Sequence, residues 1–311
     1  MLNQSRFHGF DYLRVIAMAA VIYIHGCDTN ASAESITRWL SFPVPCFLVM
    51  AAFLAQWSQF GKKQAYVESL GKRVKRLVVP YLGWSLVYVV VRWAKSKAIG
   101  ETFDADLIGI IFWGDAAHQL YFVPLLVYLF AVWLIPLQLG RISLWWVSAI
   151  CLVGFVAANL IEAPLNASLP DDRYFIAKSL VWFPLGIMIA IATQCLESIR
   201  WGLFVILGGA SIGSTMVVEW ETYWITISLI VLALARSIPA PSWLAYLAKI
   251  SFGVYLGHVL IIESLQFAVL RVGLPLESLA ITLLVIFSSA VLSVALCALL
   301  DRSKHTSWLV Q

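Results

Sequence analysis

The sequence predicts an all-α membrane protein: a polytopic bundle of about ten transmembrane helices, one domain over residues 1–311, with both termini cytoplasmic. Three observations lead there. Hydrophobic residues make up 61% of the chain and charged residues only 12%, against about 25% charged in ordinary soluble domains. Ten apolar stretches recur along the chain, most of them close to the roughly 20 residues a helix needs to cross the hydrocarbon core. The lysines and arginines, finally, gather in alternate connecting segments, as retention of positive charge on the cytoplasmic side requires.

In chain order the apolar stretches are 7–26, 39–59, 74–93, 120–139, 142–161, 175–193, 201–218, 223–235, 244–266 and 276–300. The eighth is short, and its boundary with the seventh runs through Glu219 to Glu221. The segment between the second and third carries Lys62, Lys63, Lys72, Arg73, Lys75 and Arg76, which puts it inside. Alternation then gives the same side Arg6, Arg141, Arg200, Arg236, Arg302 and Lys304, and leaves the opposite side Arg38, Lys95, Lys97, Arg173 and Arg271. Acidic residues go the other way: Glu101, Asp104, Asp106, Asp115, Glu162, Asp171 and Asp172 occupy the two longest outer segments. Those segments are too short for a separate outer domain.

The first stretch is expected to be a retained helix, because Arg14 interrupts its centre and no small-residue cleavage site follows Gly26. The five cysteines, Cys27, Cys46, Cys151, Cys195 and Cys297, have neither CxxC nor metal-ligand spacing, so no disulfide framework and no metal are expected. Gly209 with Gly213, and Gly253 with Gly257, have the spacing of close helix packing. Several of the 14 tryptophans, among them Trp39, Trp93, Trp145, Trp146, Trp182 and Trp201, mark bilayer interfaces and identify no ligand.

The most informative residues lie on the first helix. Ten residues separate Arg14 from His25 in FDYLRVIAMAAVIYIHG; eleven helical steps bring the two to within roughly 20° of one face and about 16 Å apart along the axis. A cation and an imidazole are costly in hydrocarbon, so the pair points to a functional site facing the interior. The competing reading is structural: Arg14 paired with Asp11 one turn away, and His25 packed and hydrogen-bonded. In GKRVKRLVVPY, Lys72, Arg73, Lys75 and Arg76 stand where a segment meets the third helix. They suit a cytosolic polyanion, and anionic lipid headgroups equally.

Together with these, the QLYFVPLL run and the late SFGVYLGHVLIIE run make the chain resemble the integral-membrane acyltransferase-3 family. The landmarks follow the family's order from Asp11 to Glu263, nearly the whole chain. The resemblance implies an O-acyltransferase of extracytoplasmic glycans, using an acyl group, usually acetyl, from cytosolic acetyl-CoA as cosubstrate. It assigns the family's essential arginine and histidine to Arg14 and His25, and its basic pair with a further arginine to Lys72, Arg73 and Arg76. Two departures stand out: Ala51 and Ala52 replace a common serine-glycine pair, and Gln119 stands where many members carry histidine, with His118 displaced by one. Those positions are set aside for direct chemistry.

Physically, an arginine cluster can hold the phosphates of CoA, since its fork stays charged when partly desolvated, while the pantetheine arm threads inward. His25 would then act on the thioester, either as base for the acceptor hydroxyl or as acyl carrier. His258, on the ninth helix, is assigned to substrate orientation or to donating a hydrogen bond to the oxyanion, with a packing bond to Ser251, Tyr255 or a neighbouring helix as the alternative. Tyr121 and Glu263 are supporting candidates, as is Asp11; Tyr174, Asp171 and Asp172 face the sugar by location alone. The expected partners are a glycan or lipid-linked saccharide and membrane lipids, with no nucleic acid and with a homo-oligomer left open. The expected location is the cell (inner) membrane. The competing class is a transporter or flippase of a glycolipid or small solute, against which the chain has no recognisable inverted halves.

Overall fold

A computed structural model describes residues 7–27, 36–58, 66–100, 102–103, 105–134, 146, 149–157, 160, 175–195, 220–235 and 239–310. Among these residues the chain is helical and contains no strand. Three helices in this set are long and apolar enough to cross a membrane, within 70–98, 242–271 and 279–302, and shorter apolar helices lie at 43–57, 118–133, 180–194 and 224–234. The polar residues of the first helix, α1 (His8–Gly26), keep it out of the first group. The expected span 142–161 falls outside the described residues in part, at 142–145, 147–148, 158–159 and 161, and 201–218 entirely, as do Lys63, Asp104, Asp171, Asp172, Tyr174 and the Gly209/Gly213 pair.

Element boundaries differ from the sequence expectation for local reasons. The second span was expected from residue 39, yet Trp39 belongs to a separate 3-10 turn, Thr37–Leu40, and helix α2 (Pro43–Trp57) starts at Pro43. A proline is pre-set for the first helical turn, where its missing N–H has no partner to lose. Helix α3 (Tyr66–Ile99) begins eight residues before the expected 74 and runs 34 residues, about 51 Å, with Pro80 inside it. Lys72, Arg73, Lys75 and Arg76 are therefore helical residues. Helix α4 (Phe122–Leu129) continues as a π-helical turn, Phe130–Leu134. Helices α5 (Phe175–Cys195), α6 (Trp220–Ala235), α7 (Ser242–Arg271) and α8 (Leu279–Arg302) coincide with expected spans.

The chain divides into two compact units, and the division falls within α1. One comprises Met1–Leu13, Ser41–Leu70 and Tyr128–Ala240. In it α2 packs along α5: a Cβ on Gly186 would strike the α2 backbone at Val49, and Gln194 Nε2 donates to Trp57 O at 3.0 Å. Phe7, Phe10, Phe53 and Trp57 form an aromatic cluster with ring centroids 5.0 to 5.5 Å apart.

The other unit comprises Arg14–Leu40, Gly71–Val127 and Pro241–Gln311, and it holds Arg14, His25, Lys72, Arg73, Arg76, Tyr121, His258 and Glu263 but not Asp11. Helices α7 and α8 form an antiparallel hairpin, closed at the far end from its loop by Lys249 Nζ on Asp301 at 2.9 Å. Large apolar side chains such as Leu283, Leu284, Phe287 and Val291 on α8, and Leu82, Leu86 and Val90 on α3, are exposed. Apolar side chains in that number suit hydrocarbon, not water. The core of the unit joins Met18 and Ile22 of α1 to Ile250, Val254 and Ile262 of α7, Cys297 of α8 and Val310. After α8 the chain turns back, so that Val310 seats on Gly253 and Leu309 O accepts from Trp84 Nε1 at 3.1 Å. The Trp84 ring in turn lies where a Cβ on Gly257 would stand. The Gly253/Gly257 spacing thus receives a side chain and an indole ring.

Candidate active site

The site is built on three helix segments that run in the same direction. On α1 and α7, Met18 and Ile22 pack with Ile250 and Val254, and further along His25 meets His258. On α3, Gly83 meets Trp308 and Leu309 beside Gly253, and one turn later Tyr88 reaches Leu256 and Leu260. His25, Tyr88 and His258 therefore share one level of the unit. Arg14 lies eleven residues before His25, and Arg76 and Arg73 lie 12 and 15 residues before Tyr88. At 1.5 Å per residue these cations precede the imidazole level by about 16 to 23 Å.

A turn between α3 and α4 brings in a fourth chain segment. Gly114, at φ +83°, takes the left-handed conformation after the π-helical turn Gly109–Trp113. A Cβ there would meet the Leu120–Tyr121 backbone, so glycine is needed both for the conformation and for the close approach. Arg92 Nη1 donates to Asp115 O at 2.9 Å and fixes the same turn. The 3-10 turn His118–Tyr121 follows.

Buried Gln119 locks that turn to α7. Its Nε2 donates to Tyr88 Oη at 2.7 Å and to Leu256 O at 3.1 Å, while its own carbonyl accepts from Tyr255 Oη at 2.7 Å. Tyr88 Oη donates to Leu256 O at 2.9 Å and accepts from Leu260 N at 3.2 Å. The hydroxyl thus bridges the two backbone groups that an uninterrupted helix joins directly. His258 sits in the middle of this bridged turn.

The turn and the helices converge on three imidazoles. His25 is 5.2 Å from His258 and 5.7 Å from His118, ring centroid to centroid. His258 is fully buried, and its Nδ1 is 2.7 Å from Tyr255 O. A carbonyl only accepts, so Nδ1 carries the proton and Nε2 of the neutral ring carries the lone pair. That Nε2 is buried with no hydrogen-bond partner, and leaving such an acceptor unpaired costs roughly 1–3 kcal/mol. Gln119 Oε1 is a second buried acceptor with no partner. Neutral His258 is thus an acceptor toward its surroundings. The packing bond to Tyr255 is present, and donation to an oxyanion would require a protonated ring. Among the described residues no group of three or more His, Cys, Asp or Glu is arranged to hold a metal ion.

The remaining candidates are distributed as follows. Arg14 is half-buried, and Asp11, one turn before it, is buried with His8 Nδ1 3.9 Å away. Lys72 and Arg76, with Lys75, are exposed along one face of α3, and Arg73 is half-buried. Tyr121 is half-buried, its ring 6.2 Å from His118. Glu263 is exposed; five residues past His258 on one helix, it points about 140° away around the axis. The structure therefore joins His25, His258 and Tyr121 through His118, and does not join Glu263 to them. Sequence reasoning named His118 and Gln119 only to set them aside for direct chemistry, and it did not single out Tyr88. The available signal was His118 itself, a polar aromatic directly before QLYFVPLL.

The acyltransferase domain family profile matches residues 7–302. No curated protein and no solved structure matches the chain. A match over nearly the whole chain, on a scaffold that is helical among the described residues, establishes that the protein belongs to the acyltransferase-3 family.

Proposed function

We propose that the protein transfers an acyl group, acetyl in the first instance, from a cytosolic CoA thioester to a hydroxyl of an extracytoplasmic or lipid-linked glycan. The observation that carries this reading is the separation of cations from imidazoles along parallel helices. Cations on α1 and α3 precede an imidazole group by about 16 to 23 Å. A CoA molecule has that same division, with charged phosphates at one end and a thioester at the end of a long thin arm. In this reading Arg14, Lys72, Arg73 and Arg76 hold the nucleotide end, and His25 is the catalytic residue. Its lone pair takes the acceptor's proton as the new C–O bond forms and the C–S bond breaks.

The accompanying topology is a single domain of ten spans in the cell (inner) membrane with both termini cytoplasmic, so that Lys72 to Arg76 face the cytosol and the imidazoles lie toward the outside. Membrane lipids surround it, and the acceptor glycan approaches from the side of His118 and Tyr121. Family membership favours acyl transfer over solute transport.

Neutralising Arg73 and Arg76 together, as Arg73→Gln/Arg76→Gln, tests the donor site. Removing two charge-assisted phosphate contacts, each worth about 1.5–3 kcal/mol, should weaken CoA binding to purified protein at least 100-fold at unchanged expression. Equal CoA affinity before and after the change would assign those arginines to lipid headgroups.

A further inference from the structure

His258 lies at the point where three observations meet. Its Nδ1 proton is committed to the Tyr255 carbonyl at 2.7 Å, which leaves Nε2 as a bare lone pair. That nitrogen is buried and has no partner. The nearest ring is His25, with centroids 5.2 Å apart. Two imidazoles sharing a hydrogen bond of about 3 Å have centroids a little over 5 Å apart, since each ring nitrogen stands about 1 Å from its centre. The separation is already that of a hydrogen-bonded pair. The planes are tilted by 45°, and the bond requires a His25 nitrogen to be turned toward His258 Nε2.

We infer that His258 is the positioning residue of an imidazole pair, its Nε2 accepting the N–H of His25 and thereby fixing which nitrogen of His25 holds the reactive lone pair. The inference rests on the assignment of His25 as catalytic residue. A neutral imidazole has one donor and one acceptor nitrogen, and the hydrogen bond made by the first decides the role of the second. With its N–H given to His258, His25 presents its lone pair away from that ring. The acceptor hydroxyl loses its proton to this lone pair, and its oxygen forms the ester bond at the thioester carbon. The C–S bond breaks, and the departing thiolate receives the proton from His25. The His25–His258 bond persists throughout, and His258 neither gains nor loses a proton.

The surroundings of His258 hold it still enough for this task. Tyr88 Oη bridges Leu256 O and Leu260 N on either side of it, and Gln119 pins Leu256 O. Tyr255, whose carbonyl holds the His258 proton, is itself anchored by its hydroxyl to Gln119 O. A group that orients a ligand or base is expected to be supported by such outer hydrogen bonds.

The test combines histidine-nitrogen NMR with kinetics on full-length protein in lipid nanodiscs, using acetyl-CoA as donor. In the unaltered protein, His258 should be protonated at Nδ1 and bare at Nε2, and His25 should populate one tautomer. In His258→Phe the His25 signal should spread over both tautomers, and single-turnover acyl transfer should fall about 100-fold, the upper range for loss of an outer hydrogen-bond partner that orients a histidine. Acetyl-CoA affinity should stay within twofold. His258→Gln, whose amide oxygen can stand where Nε2 stood, should recover at least tenfold over His258→Phe. An unaltered protein with His258 protonated at Nε2, or with His25 in an equal tautomer mixture, overturns the inference whether or not the variants fold. So does a His258→Phe protein of normal rate. Activity surviving in His25→Ala would instead remove the catalytic assignment on which the inference rests.

Discussion

At the scale of single residues, the proposed function gives Arg14 the holding of the donor and His25 the chemistry. Arg14 lies about 16 Å before His25 on the same face of α1, so its removal should act on donor placement. Arg14→Ala is expected to raise the acetyl-CoA concentration needed for half-maximal rate at least tenfold. Its single-turnover rate should partly recover at high donor concentration, as for an interaction used in binding rather than only in the transition state. A saturating rate depressed as far as that of a His25 variant would place Arg14 in the chemistry. The helical spacing of Arg14 and His25 was legible in the sequence because both lie on one unbroken helix, where position fixes direction. His118 was not legible. Its approach to His25 depends on the left-handed turn at Gly114 and on the bonds from Arg92 and Gln119, all of which link residues of different elements.

At the scale of elements, apolar length located the helices well and their ends less well. Helix α5 begins where expected, at Phe175, since an apolar run and a helix coincide there. Helix α3 overruns its apolar run because Glu68, Lys72, Lys75 and Arg76 are helical residues despite their charge, and they stand exposed on its first turns. Hydropathy reads environment, and helix formation continues past the change of environment. The glycine spacing on α7 marks close packing: a Cβ on Gly257 would collide with the ring of Trp84 on α3, which is tied to Leu309 O. Gly257→Ala should therefore cost about 1–3 kcal/mol by overpacking, seen as a lower unfolding temperature in detergent. Because Gly257 adjoins His258, transfer should slow as well. Wild-type stability in that variant would mean that the indole is free to move aside.

At the scale of the whole molecule, the proposed reaction is directional, with the donor on one side of the membrane and the acceptor on the other. Single cysteines replacing Lys75 on α3 and Glu277 between α7 and α8, in a cysteine-free background, should label from opposite sides of an intact cell, with position 75 protected. Equal access of an impermeant reagent to both would remove the ten-span arrangement and its sidedness. Direction and catalysis meet in one measurement, vectorial transfer in sealed, oriented proteoliposomes. Labelled acetyl-CoA is supplied on the Lys75 side, and an impermeant saccharide acceptor on the Glu277 side. The account predicts label on the acceptor with the unaltered protein, and none with folded His25→Ala protein that still binds CoA. Labelled acceptor at a near-normal rate from His25→Ala would contradict it.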